Sequence, residues 1–358
     1  MHDIADKNIY QYENLHGKNR KMIQSIIKST GMFVPPNLIT NHDLEKILDT
    51  SDEWIQQRTG IKQRFWIDQE GVTGSSDLGF EASKNALKNA GWKAEDLDFI
   101  IFATLSPDIM FPGSGCLLQA KLGLNSTPAL DIRQQCTGFL YGLATADAYI
   151  KTGLASKILF VGGEVHSSGL DKSTRGRDIT VIFGDGAGAL CIEGIETNDK
   201  AGVLASSLHA DGNLADALMT ELPASNLPVR LPPDVSLDDP RYFPVMDGSA
   251  IFKKAVRMLP QVINESLEKA QMDLDEIDLI IPHQANMRIN QALGQFLKID
   301  ENKIFHNIQK YGNTTAASIP IALHEAMEQG RIGKSGDIVL FAGLGAGLTW
   351  GSVIYKFL

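Results

Sequence analysis

Three short segments of the sequence carry a thiol, an imidazole and a carboxamide that lie far apart along the chain. Cys136 lies in a Gln-Cys-Thr-Gly segment, His283 in a His-Gln-Ala-Asn segment and Asn313 in a Gly-Asn-Thr-Thr segment. Each is predicted to lie where a strand gives way to a loop or a helix, the usual position of side chains that converge in a cleft. Together these groups can perform acyl-thioester chemistry, so we interpret them as candidate catalytic residues.

Cys136 is the candidate nucleophile. It follows the apolar segment 129–132 and precedes a predicted helix that runs toward Ile150. The N-terminus of a helix presents free N–H groups and positive potential, so we expect a lowered thiol pKa. A buried structural cysteine is the alternative, because this is the commoner fate of a single cysteine. Cys116 and Cys191 lack such a setting and are interpreted as packing residues.

His283 and Asn313 are candidates for stabilising negative charge. His283 directly follows a predicted buried strand, and we expect its neighbours to hold the ring neutral. Alone, His283 would be interpreted as a satisfied core or surface residue and Asn313 as a turn residue. Together, a neutral imidazole and a carboxamide can donate hydrogen bonds to one carbonyl oxygen. This chemistry requires neither a metal nor a redox cofactor, and none is predicted.

The elements that position these residues are predicted to occur twice. Residues 94–101 resemble residues 274–281. Each segment follows an amphipathic helix, at 78–90 in the first case and at 262–271 in the second. The chain is therefore predicted to be an internal duplication.

The later part of each repeat is a helix that ends at a glycine. The helices are predicted to end near Gly153 and Gly330, and each leads into a strand. Cys136 and Asn313 each lie 17 residues before these glycines, which predicts matching positions in the two repeats. A duplicated α/β unit of this kind indicates layered sheets covered by helices, with the active cleft between the halves.

Composition and charge exclude several classes of protein. A chain of 358 residues with 43% hydrophobic residues can bury a large core. The net charge of -10 argues against non-specific binding to nucleic acid. Three cysteines are too few for a disulfide framework or a zinc site, which favours the cytoplasm.

One polar stretch and one uncharged stretch bear on whether the chain has a signal peptide or a membrane span. Residues 1–21 are polar and lack the apolar core of a signal peptide, so they are interpreted as an N-terminal extension. The uncharged run at 338–355 contains several glycines. Two strands joined by a glycine loop therefore explain it better than a membrane span.

Residues 22–358 resemble a β-ketoacyl-acyl carrier protein synthase III, a condensing enzyme of the thiolase fold. Six segments carry this resemblance in the right order: 49–61, 136–139, 183–188, 283–286, 312–318 and 345–351. The resemblance implies an α/β thiolase fold with five layers, αβαβα, built from two duplicated halves. The first half, 22–200, would carry the nucleophile, and the second half, 201–358, would carry the histidine and the asparagine.

The resemblance also implies a mechanism. Cys136 would take an acyl group from an acyl-CoA, acetyl-CoA by default, assisted by backbone N–H groups of its own and of the loop Gly345, Ala346 and Gly347. His283 and Asn313 would bind the thioester carbonyl of malonyl-acyl carrier protein and stabilise the enolate left by loss of CO2. The chain would thereby initiate fatty acid biosynthesis as a cytoplasmic homodimer, with the CoA thioester as a substrate and no cofactor.

Binding residues are implied with it. The residues that match or extend the binding surfaces of the family are Trp54, Arg58 and Arg177 for CoA, Phe111 for the acyl pocket of the dimer partner, and Lys253, Arg257 and Arg288 for carrier-protein docking.

Three alternatives stay open from the sequence. A related ketosynthase or acyltransferase of specialised metabolism would use a longer acyl primer or a non-carrier acceptor, and the long segment 210–247 could reshape its tunnel mouth. A hydrolase would also form an acyl-cysteine, although the sequence has no Gly-x-Ser-x-Gly elbow. A non-catalytic partner subunit is disfavoured because all three chemical groups are present.

Overall fold

A computed structural model describes residues 22–68, 73–230, 236 and 238–358. The predicted N-terminal extension lies outside these residues. The strands of the first main sheet are, in spatial order, β1 (Met22–Phe33), β7 (Gly186–Thr197), β6 (Lys157–Glu164), β4 (Phe99–Ala103) and β5 (Ala129–Ile132). The strands of the second are β8 (Gly202–Ala210), β13 (Thr349–Lys356), β12 (Ile338–Gly345) and β11 (Leu279–Pro282).

The two sheets have the same strand directions. In the first sheet β4 is parallel to β6, while β7 is antiparallel to both β6 and β1. In the second sheet β11 is parallel to β12, while β13 is antiparallel to both β12 and β8. At the place of β5 the second sheet has an isolated parallel bridge from Ile280 to Ile304. The predicted duplication is therefore present in the strand order.

Two short ribbons accompany the main sheets: β2 (Asn37–Thr40) pairs with β3 (Gln63–Trp66), and β9 (Leu218–Met219) pairs with β10 (Val245–Met246). The α-helices are α1 (Asn41–Leu44), α2 (Asp52–Thr59), α3 (Ser75–Ala90), α4 (Ser114–Lys121), α5 (Gly138–Lys151), α6 (Arg177–Thr180), α7 (Gly248–Ala270), α8 (Met287–Leu297), α9 (Ile308–Tyr311) and α10 (Ser318–Glu328).

The central layer consists of α5 and α10. Phe139 of α5 and Leu323 of α10 belong to one buried cluster that also contains Phe160 of β6 and Phe341 of β12. The ring of Phe139 lies edge-on to the rings of Phe160 and Phe341, with centroids 5.5 and 5.0 Å away. Because successive side chains of a strand point to opposite faces, each sheet can bury a second apolar set on its outer face.

The outer helices cover those second faces. Leu78 of α3 packs with Leu159 of β6, and Ile263 of α7 packs with Leu340 of β12. Helices therefore lie outside both sheets as well as between them, which gives five layers in the order αβαβα. The central strands β4, β6, β11 and β12 are buried on both faces, and this explains why they appear in the sequence as continuous apolar runs.

Helix α7 differs from the prediction. The sequence predicts a helix at 262–271, but the structure has one continuous helix that begins at Gly248 and runs through Pro260. A proline inside a helix removes one backbone hydrogen bond. Leu259, Ile263 and Leu267 form a continuous apolar stripe that packs on the second sheet. Burial of this stripe on both sides of the proline keeps the two segments in one helix.

The predicted equivalence of Cys136 and Asn313 is wrong by three residues. Gln135 and Thr315 are the matching residues, because each has a left-handed φ, 44° and 48°, and begins a 3₁₀ helix, at 135–137 and 315–317. By this register Cys136 matches Ala316. The offset arises because α5 has 14 residues and α10 has only 11.

Candidate active site

The three predicted catalytic residues line one cavity of about 570 Å³. Cys136 lies in the 3₁₀ helix that precedes α5, and His283 directly follows β11. Asn313 lies between α9 and the 3₁₀ helix that precedes α10. Thiol, imidazole and carboxamide therefore meet in one cleft to which both main sheets contribute, as the sequence predicts.

The turn that carries Cys136 is packed against the glycine loop between β12 and β13. The backbone N–H groups of Ala346 and of Cys136 itself act on the thiol by favouring its thiolate form, which lowers the thiol pKa. A Cβ atom on Gly345 would lie 2.5 Å from the Cβ and 3.1 Å from the Sγ of Cys136, so a side chain cannot fit there without movement. Thr137 and Thr349 share a hydrogen bond of 2.8 Å, which ties the turn to the start of β13.

The thiol of Cys136 is not acidified in this structure. Burial, followed by the nearby carboxyl of Glu164, raises the pKa of the Cys136 thiol to about 12. The predicted lowering of this pKa is therefore wrong. Removing the sulfur from water disfavours the thiolate by more than the two N–H groups favour it. The residue is protonated at neutral pH.

His283 has the neutral ring that the sequence predicts. Burial lowers the pKa of His283 to about 3. Its Nδ1 lies 2.6 Å from the Oγ of Ser318, and the backbone N–H of Gln284 donates to that same oxygen at 3.4 Å. The hydroxyl hydrogen of Ser318 is then free to donate to Nδ1, which leaves the ring proton on Nε2. Nε2 is buried and has no hydrogen-bond partner among the described residues.

Asn313 is fixed through both its backbone and its side chain. Its N–H donates to the carbonyl oxygen of Ile182 at 2.9 Å, and its own carbonyl accepts from the N–H of Gly184 at 3.1 Å. The N–H of Thr315 donates to the side-chain oxygen of Asn313 at 2.9 Å. Because the oxygen is engaged, the NH2 group is the part of the carboxamide left to donate to a bound molecule.

Comparisons with known proteins agree on one family. The family model described as 3-oxoacyl-[acyl-carrier-protein] synthase III matches residues 130–212, and the model of its C-terminal part matches residues 267–357. The β-ketoacyl-[acyl-carrier-protein] synthase III of Aquifex aeolicus is 44% identical over 331 residues, which are 92% of this chain and 99% of the relative. The chain belongs to the β-ketoacyl-acyl carrier protein synthase III family.

Solved structures of this family share the architecture. The crystal structure of the Aquifex aeolicus synthase III covers 93% of this chain and 100% of its own, with a TM-score of 0.83. The Thermus thermophilus synthase III is 39% identical, covers 93% of this chain and 99% of its own, and also has a TM-score of 0.83. The chain is thus a condensing enzyme with the thiolase fold.

The residues predicted to bind CoA lie at the wall of the synthase cavity. Trp54, Arg58 and Arg177 all line it. The guanidinium groups of Arg58 and Arg177 lie 5.4 and 5.0 Å from the centroid of the Trp54 ring. One indole therefore contacts two cations, and the three residues form a single aromatic and basic surface.

The residues predicted to dock a carrier protein divide into two groups. Lys253 and Arg288 are exposed and line the cavity, and Arg288 lies 5.7 Å from the ring centroid of Phe252. Arg257 is exposed one turn further along α7 but does not line the cavity. Lys253 and Arg257 therefore extend outward from the cavity along one face of α7, and Arg288 at the start of α8 lies beside them.

Phe111 lies apart from the cavity of its own chain. Its side chain is 77% exposed, and its neighbours Ile109 and Met110 are also exposed. Three consecutive exposed apolar residues are unusual on the surface of a monomer. Cys116 is exposed as well, so its interpretation as a packing residue is wrong, whereas Cys191 is buried.

Several residues around the site are absent from the sequence-based prediction. The N–H of Thr315 donates to the side chain of Asn313, and the hydroxyl of Ser318 is hydrogen bonded to the ring of His283. Both residues lie in the segment 312–318, which carries part of the family resemblance, but neither is among the predicted site residues. Leu218 and Met246, from the long segment 210–247, line the cavity through the β9–β10 ribbon. Hydroxyl residues next to the candidate asparagine are the signal that could have found the first pair.

In the part of the chain that the structure describes, no three His, Cys, Asp or Glu side chains are grouped so that they could hold a metal ion. Among the same residues, no helix combines the length and the apolar character that crossing a bilayer requires.

Proposed function

We propose that this chain initiates fatty acid biosynthesis by condensing an acyl-CoA, acetyl-CoA by default, with malonyl-acyl carrier protein. The observation that carries the proposal is that Cys136, His283 and Asn313 line a single cavity in a member of this family. The curated relatives support the initiating reaction and do not favour the alternative of a synthase of specialised metabolism.

In the first half-reaction Cys136 is the nucleophile. Its sulfur attacks the thioester carbonyl of the acyl-CoA, a new C–S bond forms, the bond to the CoA sulfur breaks, and the thiol proton ends on CoA. We assign the backbone N–H groups of Cys136 and Ala346, which both favour the thiolate of the resting cysteine, to the oxyanion of this step. Gly345 allows this close approach because it has no side chain.

In the second half-reaction His283 and Asn313 act on the malonyl thioester. The Nε2–H of His283 and the NH2 of Asn313 donate to the thioester carbonyl oxygen and stabilise the enolate as the bond to the carboxylate breaks and CO2 leaves. The enolate carbon then attacks the acyl carbonyl on Cys136, and the sulfur is released and protonated. The neutral ring of His283 suits this role because it donates without carrying a charge.

The cavity wall and rim suggest how the two substrates are held. We assign Trp54, Arg58 and Arg177 to the nucleotide end of CoA, since an indole and two guanidinium groups suit a base and its phosphates. We assign Lys253, Arg257 and Arg288 to the acidic carrier protein. On a chain of net charge -10, these exposed cations give the carrier a local site of complementary charge.

We further propose a homodimer in which Phe111 enters the acyl pocket of the partner. Its exposure together with Ile109 and Met110 supports a covered surface there. Residues 22–200 and 201–358 are proposed as the two halves, since each main sheet takes its strands from one of them. Three free cysteines suit a reducing compartment, and we place the enzyme in the cytoplasm.

The test follows the acyl group by intact mass. The protein is incubated with acyl-CoAs of increasing chain length and then with malonyl-acyl carrier protein, and the ketoacyl product and CO2 are measured. We expect one acyl group per chain, lost in Cys136→Ala and retained in Cys116→Ala, which removes the exposed cysteine as a matched control.

Two results would contradict the proposal. Acylation of Cys136 followed by release of free acid, with no condensation, would indicate a hydrolase. The absence of any acylation, with every chain length of primer, would indicate a non-catalytic partner subunit.

A further inference from the structure

His166 is a buried histidine without a part in the proposed chemistry. Its Nε2 lies 2.8 Å from the Oγ1 of Thr315, and its ring lies 4.6 Å, centroid to centroid, from that of Phe183. Its backbone N–H donates to the carboxyl of Asp185 at 2.7 Å. The residue does not line the cavity. His166 can therefore act on the site only through the residues that it contacts, of which Thr315 is the one next to the site.

Thr315, the residue that His166 contacts, has an unusual backbone conformation. Thr315 has a φ of 48°, in the left-handed region that β-branched residues rarely adopt. Such a residue keeps this conformation only when the surrounding structure holds it there. In this conformation the N–H of Thr315 donates to the side-chain oxygen of Asn313. The orientation of the carboxamide thus depends on the backbone of Thr315.

One face of β6 and its continuation supports this turn. Gly162, Glu164 and His166 alternate along the chain, so their side-chain positions lie on one face. A Cβ atom on Gly162 would overlap the carbonyl oxygen of Ala316, and the Glu164 carboxyl accepts from the N–H of Ala316 at 3.4 Å. His166 adds the hydrogen bond to Thr315, the residue next to Ala316.

We propose that His166 is a positioning residue for the decarboxylation half-reaction. Through the hydroxyl of Thr315 it holds the left-handed turn whose N–H engages the oxygen of Asn313, so that the NH2 of Asn313 faces the malonyl thioester. This inference rests on the proposed function. It adds a residue of the first half that orients a catalytic group of the second half.

The test separates the two half-reactions. His166→Phe keeps a ring against Phe183 but removes Nε2, and Thr315→Val keeps the shape of the side chain but removes the hydroxyl. We measure CO2 release from malonyl-acyl carrier protein and, separately, acylation of Cys136 by acyl-CoA. A displaced catalytic group can cost on the order of 100-fold in rate. We therefore expect CO2 release to fall roughly 10- to 100-fold in both variants, with acylation within about threefold of wild type.

The controls distinguish positioning from general damage. Thr30 and His324 form a similar pair away from the cavity, with 2.9 Å between Oγ1 and Nδ1, so Thr30→Val and His324→Phe should leave both half-reactions unchanged. Thr315→Ser, which restores a hydroxyl without the β-branch, should recover most of the CO2 release. If His166→Phe does not fold, Thr315→Val and Thr315→Ser decide the question.

Equal losses in both half-reactions, or wild-type CO2 release in Thr315→Val, would overturn the inference. Failure of the proposed function gives a different result. In that case the wild-type protein itself would release no CO2 from malonyl-acyl carrier protein.

Discussion

Replacing Gly345 with alanine should disable acylation of Cys136 without unfolding the protein. The added Cβ would lie 2.5 Å from the Cβ of Cys136, whereas ordinary contacts begin at 3.4 Å, so one of the two segments must move by about 0.9 Å. The residue does not have a left-handed φ, so alanine fits its backbone. The stability cost is therefore that of overpacking, about 1–3 kcal/mol.

The movement matters because it separates the Cys136 turn from the N–H of Ala346. A displacement near 1 Å at a reacting group can cost on the order of 100-fold in rate. This corresponds to about 2.7 kcal/mol of activation free energy. We therefore expect the acylation rate, followed by intact mass with acetyl-CoA, to fall roughly 100-fold. Decarboxylation of malonyl-acyl carrier protein should change far less, because the three atoms nearest to the added Cβ all belong to Cys136.

Gly212→Ala is the matched control. A Cβ at Gly212 meets no atom within 4 Å, and the residue does not have a left-handed φ either. This variant should acylate at the wild-type rate. Acylation of Gly345→Ala within a few-fold of wild type would refute the reasoning, since it would mean that the sulfur and its N–H donors can shift without cost.

Three further predictions follow from the site. Ser318→Ala removes the partner of His283 Nδ1, and CO2 release should fall about 10-fold while acylation of Cys136 is retained; equal losses would argue against it. In the folded protein the pKa values of His166 and His283 are about 3, whereas in the unfolded chain both side chains have the usual pKa of 6.5. As pH falls, the unfolded chain therefore binds protons before the folded protein does. Stability should be intact above pH 6.5 and should decrease below it, by about 2 kcal/mol per histidine at pH 5, in thermal unfolding scans; a smaller loss in His166→Phe is the check. Lys253→Glu should raise the KM for malonyl-acyl carrier protein several-fold without changing the rate of Cys136 acylation. If the variant and the wild-type protein have the same KM at low salt, the docking assignment is contradicted.

The meeting of the three candidate catalytic residues in one cavity could be predicted from the sequence because the candidates are recognised by residue type. Only a few side chains supply a nucleophilic sulfur, a ring nitrogen or an amide donor, and Cys136, His283 and Asn313 each lie at the predicted end of a strand or start of a helix. The central strands β6, β11 and β12 could be predicted as well, since burial on both faces gives them continuous apolar runs, whereas β1, with its mixed polar residues, could not.

The state of those groups could not be predicted, because it depends on burial and on distant neighbours. A helix N-terminus predicts an acidic thiol for Cys136, but desolvation reverses the direction of the pKa shift. The left-handed turn at Thr315 is equally hidden, since threonine rarely adopts this conformation and local sequence favours another. Only the packing of β6 against the turn explains it.

The duplicated architecture makes each catalytic group depend on the other half of the chain. Cys136 belongs to the first half, but Gly345, against which it packs, ends β12 in the second half, and Ala346, whose backbone N–H acts on the thiol, follows that strand. Asn313 belongs to the second half, but its backbone is hydrogen bonded to Ile182 and Gly184 of the first. Each of these residues is therefore held partly by the other half, so a relative movement of the halves would disturb the proposed acylation and decarboxylation sites together. The packing of α5 and α10 into one buried cluster in the central layer therefore serves the proposed chemistry as well as the fold.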